Sequence, residues 1–120
     1  MNPLLPPKIQ ENLVLASASP RRRKILEDLD FEFVTAGSSV DEDEVIWDDA
    51  EKRARVLAEL KAVDVQSRFP RKRIIGADTV VSCEGRRLGK PAGREEAAEM
   101  LEMLSGRTHE VITALALVSL

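Results

Sequence analysis

Residues 13–22 read LVLASASPRR, and this stretch indicates how the fold begins. Leu13–Ala16 is a short apolar run typical of a buried strand, and a loop of small residues follows it. Ser19 is a favourable N-cap residue, and Pro20 is tolerated at the first helical position because its missing N–H would have no partner there. The stretch therefore predicts a strand, a loop and a helix that begins at Pro20 and ends near Leu29.

Short apolar or alternating runs predict further strands along the chain. They lie at residues 31–34, 74–81, 86–88 and 111–118. Glu84-Gly85 predicts the hairpin turn between two of these strands. The last strand is apolar on both faces, which is typical of a strand that is covered above and below. Since the sequence given ends at Leu120, we expect an unfinished sheet whose final strand has a free edge.

Helical spacing of apolar residues predicts two more helices. One begins after Asp48 or Asp49 and ends near Gln66, and the other spans residues 94–104. The expected apolar faces are Ile25, Leu26 and Leu29 on the first helix, Ala54, Val56, Leu57, Leu60 and Val63 on the second, and Ala97, Met100, Leu101 and Leu104 on the third. Lys61 lies at the border of its helix's apolar face, so we expect its side chain to point inward. The predicted fold class is α/β.

The composition of the chain excludes several classes of protein. Its 120 residues are 43% hydrophobic and 32% charged, which predicts one globular domain over residues 1–120. A net charge of -3 argues against nucleic acid as a partner. The single cysteine, Cys83, and the single histidine, His109, exclude an internal disulfide and a Cys/His zinc cluster. With no apolar run long enough for a signal or a membrane span, we expect a cytoplasmic protein with no membrane partner.

The predicted helix that begins at Pro20 carries Arg21 and Arg22 in its first turn. Unpaired N–H groups and the helix dipole favour an anion at such a terminus, and arginine adds charge-assisted contacts to phosphate oxygens. With Ser17 in the preceding loop, the segment is a candidate phosphate site. A solvated basic turn explains the same residue types equally well.

Asp78 is a carboxylate between apolar strand residues. Burial of a carboxylate is costly unless a cation, a metal ion or a hydrogen-bond donor faces it, so Asp78 is a candidate general base. The alternative is a structural aspartate that bonds a neighbouring loop. Lys61 and Lys90 would each hold phosphate as a point charge, although most lysines are merely solvated.

Residues 41–44 form an acidic run, Asp-Glu-Asp-Glu. One member placed beside Asp78 would create a site of hard oxygen ligands for Mg²⁺ or Mn²⁺. A solvated acidic loop is the simpler interpretation of the residue types alone.

Six short blocks occur in a characteristic order along the chain: Leu15–Arg22, Asp41–Glu44, Lys61-Ala62, Gly76–Thr79, Gly89–Pro91 and Leu104–His109. In this order they make the chain resemble the Maf family of nucleoside triphosphate pyrophosphatases. The resemblance implies an elongated α/β fold around a mixed sheet, similar to that of the inosine triphosphate pyrophosphatases. It also implies hydrolysis of a nucleoside triphosphate between the α and β phosphates, with Mg²⁺ or Mn²⁺ as the cofactor. The forms of the first and last blocks are similar to the branch that acts on dTTP and UTP.

The resemblance also implies roles for individual residues. Asp78 would be the general base, and Glu42 would assist the base or, with Asp78, bind the metal ion. The implied phosphate-binding residues are Ser17, Arg21, Arg22, Lys61 and Lys90. The family often forms dimers, so a homodimer is an implied expectation.

Several positions depart from the family pattern. Val56 replaces a frequent arginine, Asp30 replaces a glycine that usually follows the first helix, and Ala114 replaces a common glycine. We also expect the chain to lack the family's carboxy-terminal portion. The alternative to a working enzyme is therefore a catalytically impaired nucleotide-binding fragment that associates through its exposed final strand.

Overall fold

The computed structural model describes residues 1–45, 49–89 and 91–119. Its elements in chain order are α1 (Pro7–Gln10), β1 (Leu13–Ala16), α2 (Pro20–Asp28), β2 (Val34–Thr35), a short 3-10 helix (Glu42–Glu44), α3 (Ala50–Gln66), β3 (Arg73–Cys83), β4 (Arg86–Leu88), α4 (Arg94–Leu104) and β5 (His109–Val118). The predicted α/β class is confirmed, and the molecule is elongated, with extents of 47 × 29 × 23 Å. No helix in these ranges combines the length and the apolar character that crossing a membrane requires.

The sheet is mixed and is organised around the long strand β3. Strand β1 runs parallel to both β2 and β3, whereas β4 and β5 run antiparallel to β3. Strand β5 pairs with residues 74–83 along one edge of β3. Strands β1 and β4 must therefore share the opposite edge, where they pair with residues 73–76 and 81–83. Residues 77–80 have no strand partner on that edge within the described chain. The candidate site lies beside this gap.

Helix α3 packs across the sheet through a row of small residues. Asp49 is its N-cap and accepts a hydrogen bond from the Lys52 N–H. It is one of the two residues predicted to cap this helix; the other, Asp48, lies outside the described residues. Ala54, Ala58 and Ala62 recur every fourth residue and are fully buried against the sheet. Small side chains on one helix row let α3 lie close to β3 and β5.

The predicted apolar faces of α2 and α3 are partly wrong. Ile25 and Leu29 on α2 are half-exposed, because no described helix or strand packs extensively against that face. Leu60 and Val63 on α3 are also half-exposed. The residues that α3 buries in their place are Ala58, Ala62 and Val65. Because α3 lies close to the sheet, the small alanine side chains fit between helix and sheet, whereas the larger Leu60 and Val63 remain outside.

The second strand is shorter than predicted and begins later. The Phe31 N–H donates to the Leu26 carbonyl and ends α2, and the Glu32 N–H donates to the side-chain oxygen of Gln10 at 3.4 Å. These backbone groups are therefore used outside the sheet. Only Val34 and Thr35 pair with β1.

Strand β5 and helix α4 leave apolar surface exposed. The face of β5 that carries Ala114 packs on α3, but on the other face Leu115 is 75% exposed and Leu117 is 68% exposed. Within the described chain, β5 pairs only with β3, so the expected free edge is present. Helix α4 has the predicted bounds, yet it buries none of its residues.

Candidate functional site

The candidate site is a polar hollow beside the gap in the edge of β3. It has two adjoining halves with a cavity volume of about 570 Å³ each, a size within the ~300–1,000 Å³ usual for small-molecule sites. The carboxyl end of β1 opens into it, as is general for ligand sites of open α/β sheets. The lining side chains that matter for its chemistry are Ser17, Ser19, Arg22, Glu42, Lys61 and Asp78.

The amino terminus of α2 lies at this hollow. Ser19 is the N-cap, and its hydroxyl accepts a hydrogen bond from the Arg22 N–H at 3.4 Å. The Ser17 hydroxyl accepts from the Ser19 N–H at 3.1 Å and tightens the turn between β1 and α2. The positive dipole end of this nine-residue helix is thereby directed at the space where an anion would bind.

Arg22 reaches from α2 to the gap in β3. Its Nη2 donates to the Thr79 hydroxyl at 2.8 Å, and its Nη1 donates to the Ala77 carbonyl at 3.3 Å. The guanidinium therefore bonds the residues on either side of Asp78. Both halves of the hollow include Arg22 in their lining.

Lys61 bridges two carboxylates. Its Nζ lies 3.1 Å from Asp78 Oδ1 and forms a second, shorter ion pair with Glu42. The inward orientation predicted for this lysine is confirmed, since its side chain is largely buried. Three residues from separate elements thus form one charged network at the floor of the hollow.

Asp78 is buried with one carboxylate oxygen unpaired. The residue is only 6% exposed, and Oδ2 has no hydrogen-bond partner among the described residues. Leaving a buried acceptor unsatisfied costs about 1–3 kcal/mol, and more for a charged group. Because Asp78 also lines the polar hollow, an unsatisfied carboxylate oxygen on this residue indicates a group that binds something other than the protein.

Arg53 holds the acidic segment in place, and the sequence interpretation missed it. Its Nη2 donates to the Glu42 carbonyl at 3.0 Å and its Nε donates to the Val45 carbonyl at 3.3 Å. The residue is almost completely buried. The available signal was the position of Arg53 four residues before Leu57, on the predicted apolar face of the helix, because an arginine rarely lies on such a face unless its donors are used.

The wall formed by residues 37–39 is attached to the far end of α3. The Ser39 N–H donates to Asp64 Oδ2 at 2.8 Å, the Ser39 hydroxyl donates to Oδ1 at 3.1 Å, and Arg68 donates to the Gly37 carbonyl. The hydrogen bond from the Ser39 backbone lowers the pKa of Asp64 below its ordinary 3.8, and the Ser39 hydroxyl acts in the same direction against partial burial. Asp64 therefore connects one wall of the hollow to the helix that carries Lys61.

The carboxylates of Asp78 and Glu42 could hold a metal ion only together with further ligands, such as substrate phosphates. Among the described residues, no three His, Cys, Asp or Glu side chains are grouped closely enough to hold a metal by themselves. Asp78 Oδ2 and the Glu42 carboxylate are hard oxygen donors of the kind that Mg²⁺ prefers. Mg²⁺ is commonly held by one or two carboxylates plus substrate phosphates, so this pair fits such an ion.

The structure brings most of the predicted site residues together. Ser17, Arg22, Glu42, Lys61 and Asp78 all line the hollow. Their functional roles stay predictions.

The structure does not place the other two predicted phosphate ligands, Arg21 and Lys90, in this group. Arg21 is exposed and does not line the hollow as far as the described chain shows. Lys90 lies outside the described residues. Cys83 is buried and donates to the Thr108 carbonyl, and His109 is exposed, so neither belongs to the hollow.

Comparisons with known proteins agree on one family. The profile of the family described as Maf-like protein matches residues 12–120. A dTTP/UTP pyrophosphatase of Pyrococcus furiosus is 44% identical over 91% of this chain and 57% of its own length. Proteins of the same name from Myxococcus xanthus and Thermomicrobium roseum are 47% and 50% identical, over 90% and 88% of this chain. The chain spans about half the length of these relatives, 55% and 49% for the latter two.

Proposed function

This chain belongs to the Maf family, and on that premise we propose that it is part of a nucleoside triphosphate pyrophosphatase that hydrolyses dTTP and UTP to the monophosphate and pyrophosphate. Relatives that carry the name dTTP/UTP pyrophosphatase support the proposed substrates. The observation that carries the proposal is the Lys61 ammonium held between Asp78 and Glu42 in a hollow that the amino terminus of α2 also lines.

Phosphate binding is assigned to the cationic side of the hollow. Helix α2 presents its positive dipole end, Arg22 presents a guanidinium, and Lys61 presents an ammonium. Triphosphate hydrolysis needs mainly positioning and charge neutralisation, which fixed cations and dipoles provide without reorganisation. These groups would hold the phosphates at the gap in β3, beside Asp78.

Asp78 is assigned as the general base. Lys61 bonds Oδ1, whereas Oδ2 has no hydrogen-bond partner among the described residues. The proton is therefore assigned to Oδ2. In the proposed reaction, water gives its proton to Asp78 as its oxygen adds to phosphorus. The α–β anhydride bond breaks and pyrophosphate leaves.

A divalent cation fits the proposal through Asp78 and Glu42. Bound with the nucleotide, Mg²⁺ or Mn²⁺ would neutralise charge on the phosphate oxygens. The observation that supports this assignment is the buried Oδ2 of Asp78, which has no hydrogen-bond partner in the part of the chain that the structure describes.

Hydrolysis of dTTP with Mg²⁺, followed by pyrophosphate release, tests the proposal. We expect Asp78→Asn to lower the rate by about 10²-fold or more, because the variant keeps the shape but cannot accept the proton. Asp28→Asn is the matched control, since Asp28 pairs only with Lys24 on the exposed side of α2 in the described structure. Equal rates for the wild-type chain and Asp78→Asn would remove Asp78 from the mechanism.

The second candidate is a nucleotide-binding chain that does not turn its ligand over and associates through β5. The exposed Leu115 and Leu117 favour it. A rise in Tm with dTTP, but no pyrophosphate release, would support this candidate over the first, because a ligand that binds only the folded state raises apparent stability.

A further inference from the structure

We infer that Thr79, supported by Thr113, is a positioning residue that orients the Arg22 guanidinium toward the bound phosphates. The inference rests on the proposed function and adds residues to which no role has been assigned. It follows from a hydrogen-bonded chain that links α2, β3 and β5. Thr79 acts through Arg22 and does not itself contact the reacting atoms.

The first link of this chain is between Arg22 and β3. The guanidinium donates to the Thr79 hydroxyl at 2.8 Å and to the Ala77 carbonyl at 3.3 Å. A guanidinium has five N–H donors in a rigid plane, so these two bonds leave three donors for a ligand. Two acceptors on different atoms also fix the plane's orientation, which one acceptor would not do.

The second link is between the two threonines. Thr79 Oγ1 lies 3.0 Å from Thr113 Oγ1 across the antiparallel pair β3 and β5, where the two residues are direct partners. The Thr79 hydroxyl accepts from Arg22, so its own hydrogen is available for Thr113. Thr113 thereby restricts the rotation of the Thr79 hydroxyl and keeps a lone pair directed at Arg22.

The bonds from Arg22 to Ala77 and Thr79 lie beside the candidate base. Ala77 and Thr79 flank Asp78 in the strand, so the two bonds hold the Arg22 guanidinium at the stretch of β3 that carries the candidate base. The side chains of Thr79 and Asp78 themselves project to opposite faces of the strand. The edge of β3 at this position has no strand partner in the described chain, which leaves the Ala77 carbonyl available to the arginine. The position of the Arg22 guanidinium along this edge therefore depends on its contact with Thr79.

A structural role alone is a poor explanation for the Thr79 hydroxyl. Thr79 is exposed, so its hydroxyl has access to water and does not need a protein partner. Valine has the same shape and a high preference for strands, so Thr79→Val should fold. The variant removes the acceptor for Arg22 and leaves the backbone bond to Ala77.

Binding of inorganic pyrophosphate with Mg²⁺, measured by isothermal titration calorimetry, tests the inference. Pyrophosphate is a product of the proposed reaction and is not turned over. We expect Thr79→Val to weaken binding about tenfold, since the hydrogen bond involves a charged donor. Thr79→Ser keeps the hydroxyl and should bind within about twofold of the wild-type chain, and Thr113→Val should have an intermediate effect. Thr35→Val, an exposed threonine of β2, is the matched control.

A double-mutant cycle with Arg22→Ala distinguishes positioning from a general effect on the fold. If Thr79 acts through Arg22, Thr79→Val should cause no further loss in the Arg22→Ala background. Equal losses in both backgrounds, or unaltered binding by Thr79→Val, would overturn the inference, as would a wild-type chain that does not bind pyrophosphate. Pyrophosphate binding that follows the expected cycle, without hydrolysis of dTTP, would instead contradict the proposed function and leave the Arg22 contact established.

Discussion

At the scale of single residues, Gly76 determines how close α3 lies to the sheet. A Cβ added at this position would lie 2.2 Å from the Ala58 carbonyl oxygen and 2.9 Å from the Ala62 Cβ. Both atoms belong to α3, and one is backbone, so the clash cannot be relieved by a side-chain rotation. The glycine before Ala77-Asp78 is therefore a packing requirement of the layer that carries Lys61.

Gly76→Ala should accordingly destabilise the fold by at least about 1–3 kcal/mol, the usual cost of overpacking a core. Urea unfolding followed by circular dichroism measures the change. Gly37→Ala is the matched control for stability, because nothing lies within 4 Å of a Cβ there. A midpoint equal to that of the wild-type chain would show that α3 moves away from β3 at little cost.

The backbone conformation of Asp30 explains why the family resemblance leads one to expect a glycine at this position. It follows α2 with a φ of 60°, and the hydrogen bonds from Asp30 to the Glu27 carbonyl and from Phe31 to the Leu26 carbonyl form a Schellman cap. Glycine adopts this conformation without steric cost, which accounts for the glycine expected at this position from the family resemblance.

We expect Asp30→Gly to raise the free energy of unfolding by about 0.5–1 kcal/mol. The lost ion pair between Asp30 and the amino terminus is exposed and contributes little. Asp30→Asn keeps a residue that tolerates the left-handed region, so it should remain near the wild-type Tm. A lower Tm for Asp30→Gly in differential scanning calorimetry would contradict this explanation.

At the scale of elements, Asp64 attaches the loop of residues 37–39 to α3. Ser39 donates to both carboxylate oxygens, and the backbone bond is the main reason that the pKa of Asp64 is lowered from 3.8. A carboxyl group with a lowered folded-state pKa stabilises the fold fully above its unfolded pKa. That stabilisation is lost as the pH falls through the folded-state pKa.

Asp64→Asn should therefore have a lower Tm than the wild-type chain at about pH 7, and the difference should narrow as the pH approaches about 3. Thermal unfolding of both chains across this range measures it. Asp28→Asn, which removes an exposed carboxylate from α2, is the control for net charge. A Tm difference that stays constant across the range would show that ionisation of Asp64 does not stabilise the loop.

At the scale of the whole molecule, β5 presents a free edge and an apolar face. Leu115 and Leu117 are mostly exposed on the face away from α3, and no strand beyond β5 occurs in the described chain. Unpaired strand edges with apolar side chains favour pairing with another strand. This surface is the one through which the second candidate function would have the chain associate. It is also a candidate interface for the homodimer that the family resemblance implies.

If this chain self-associates through β5, Leu115→Lys should shift it toward the monomer, with little change in the monomer's own stability. Sedimentation velocity at several protein concentrations measures the shift. Leu101→Lys on α4 is the matched control, since Leu101 is 70% exposed on a helix that packs extensively against no described strand. An oligomer that persists unchanged in Leu115→Lys would place the association elsewhere.

Much of the local structure follows from short sequence signals. Ser19 caps α2 as predicted, Glu84-Gly85 forms the hairpin turn with both residues at positive φ, and α4 has the predicted bounds. These features depend on backbone preferences and side-chain bonds within a few residues, so the residue types are sufficient to predict them. The order of six motifs also led to the family that the profile match confirms.

Only tertiary packing determined which of these motifs meet and which apolar residues are buried. The Arg22 contact with Thr79 spans 57 positions in the chain, and the Lys61 contact with Asp78 depends on how closely α3 lies over β3. That distance is set by Gly76 and the alanine row of α3, so Leu60 and Val63 remain half-exposed despite their apolar character. Periodicity reports the faces of one element, whereas the hollow depends on the register and spacing between elements, which no local pattern encodes.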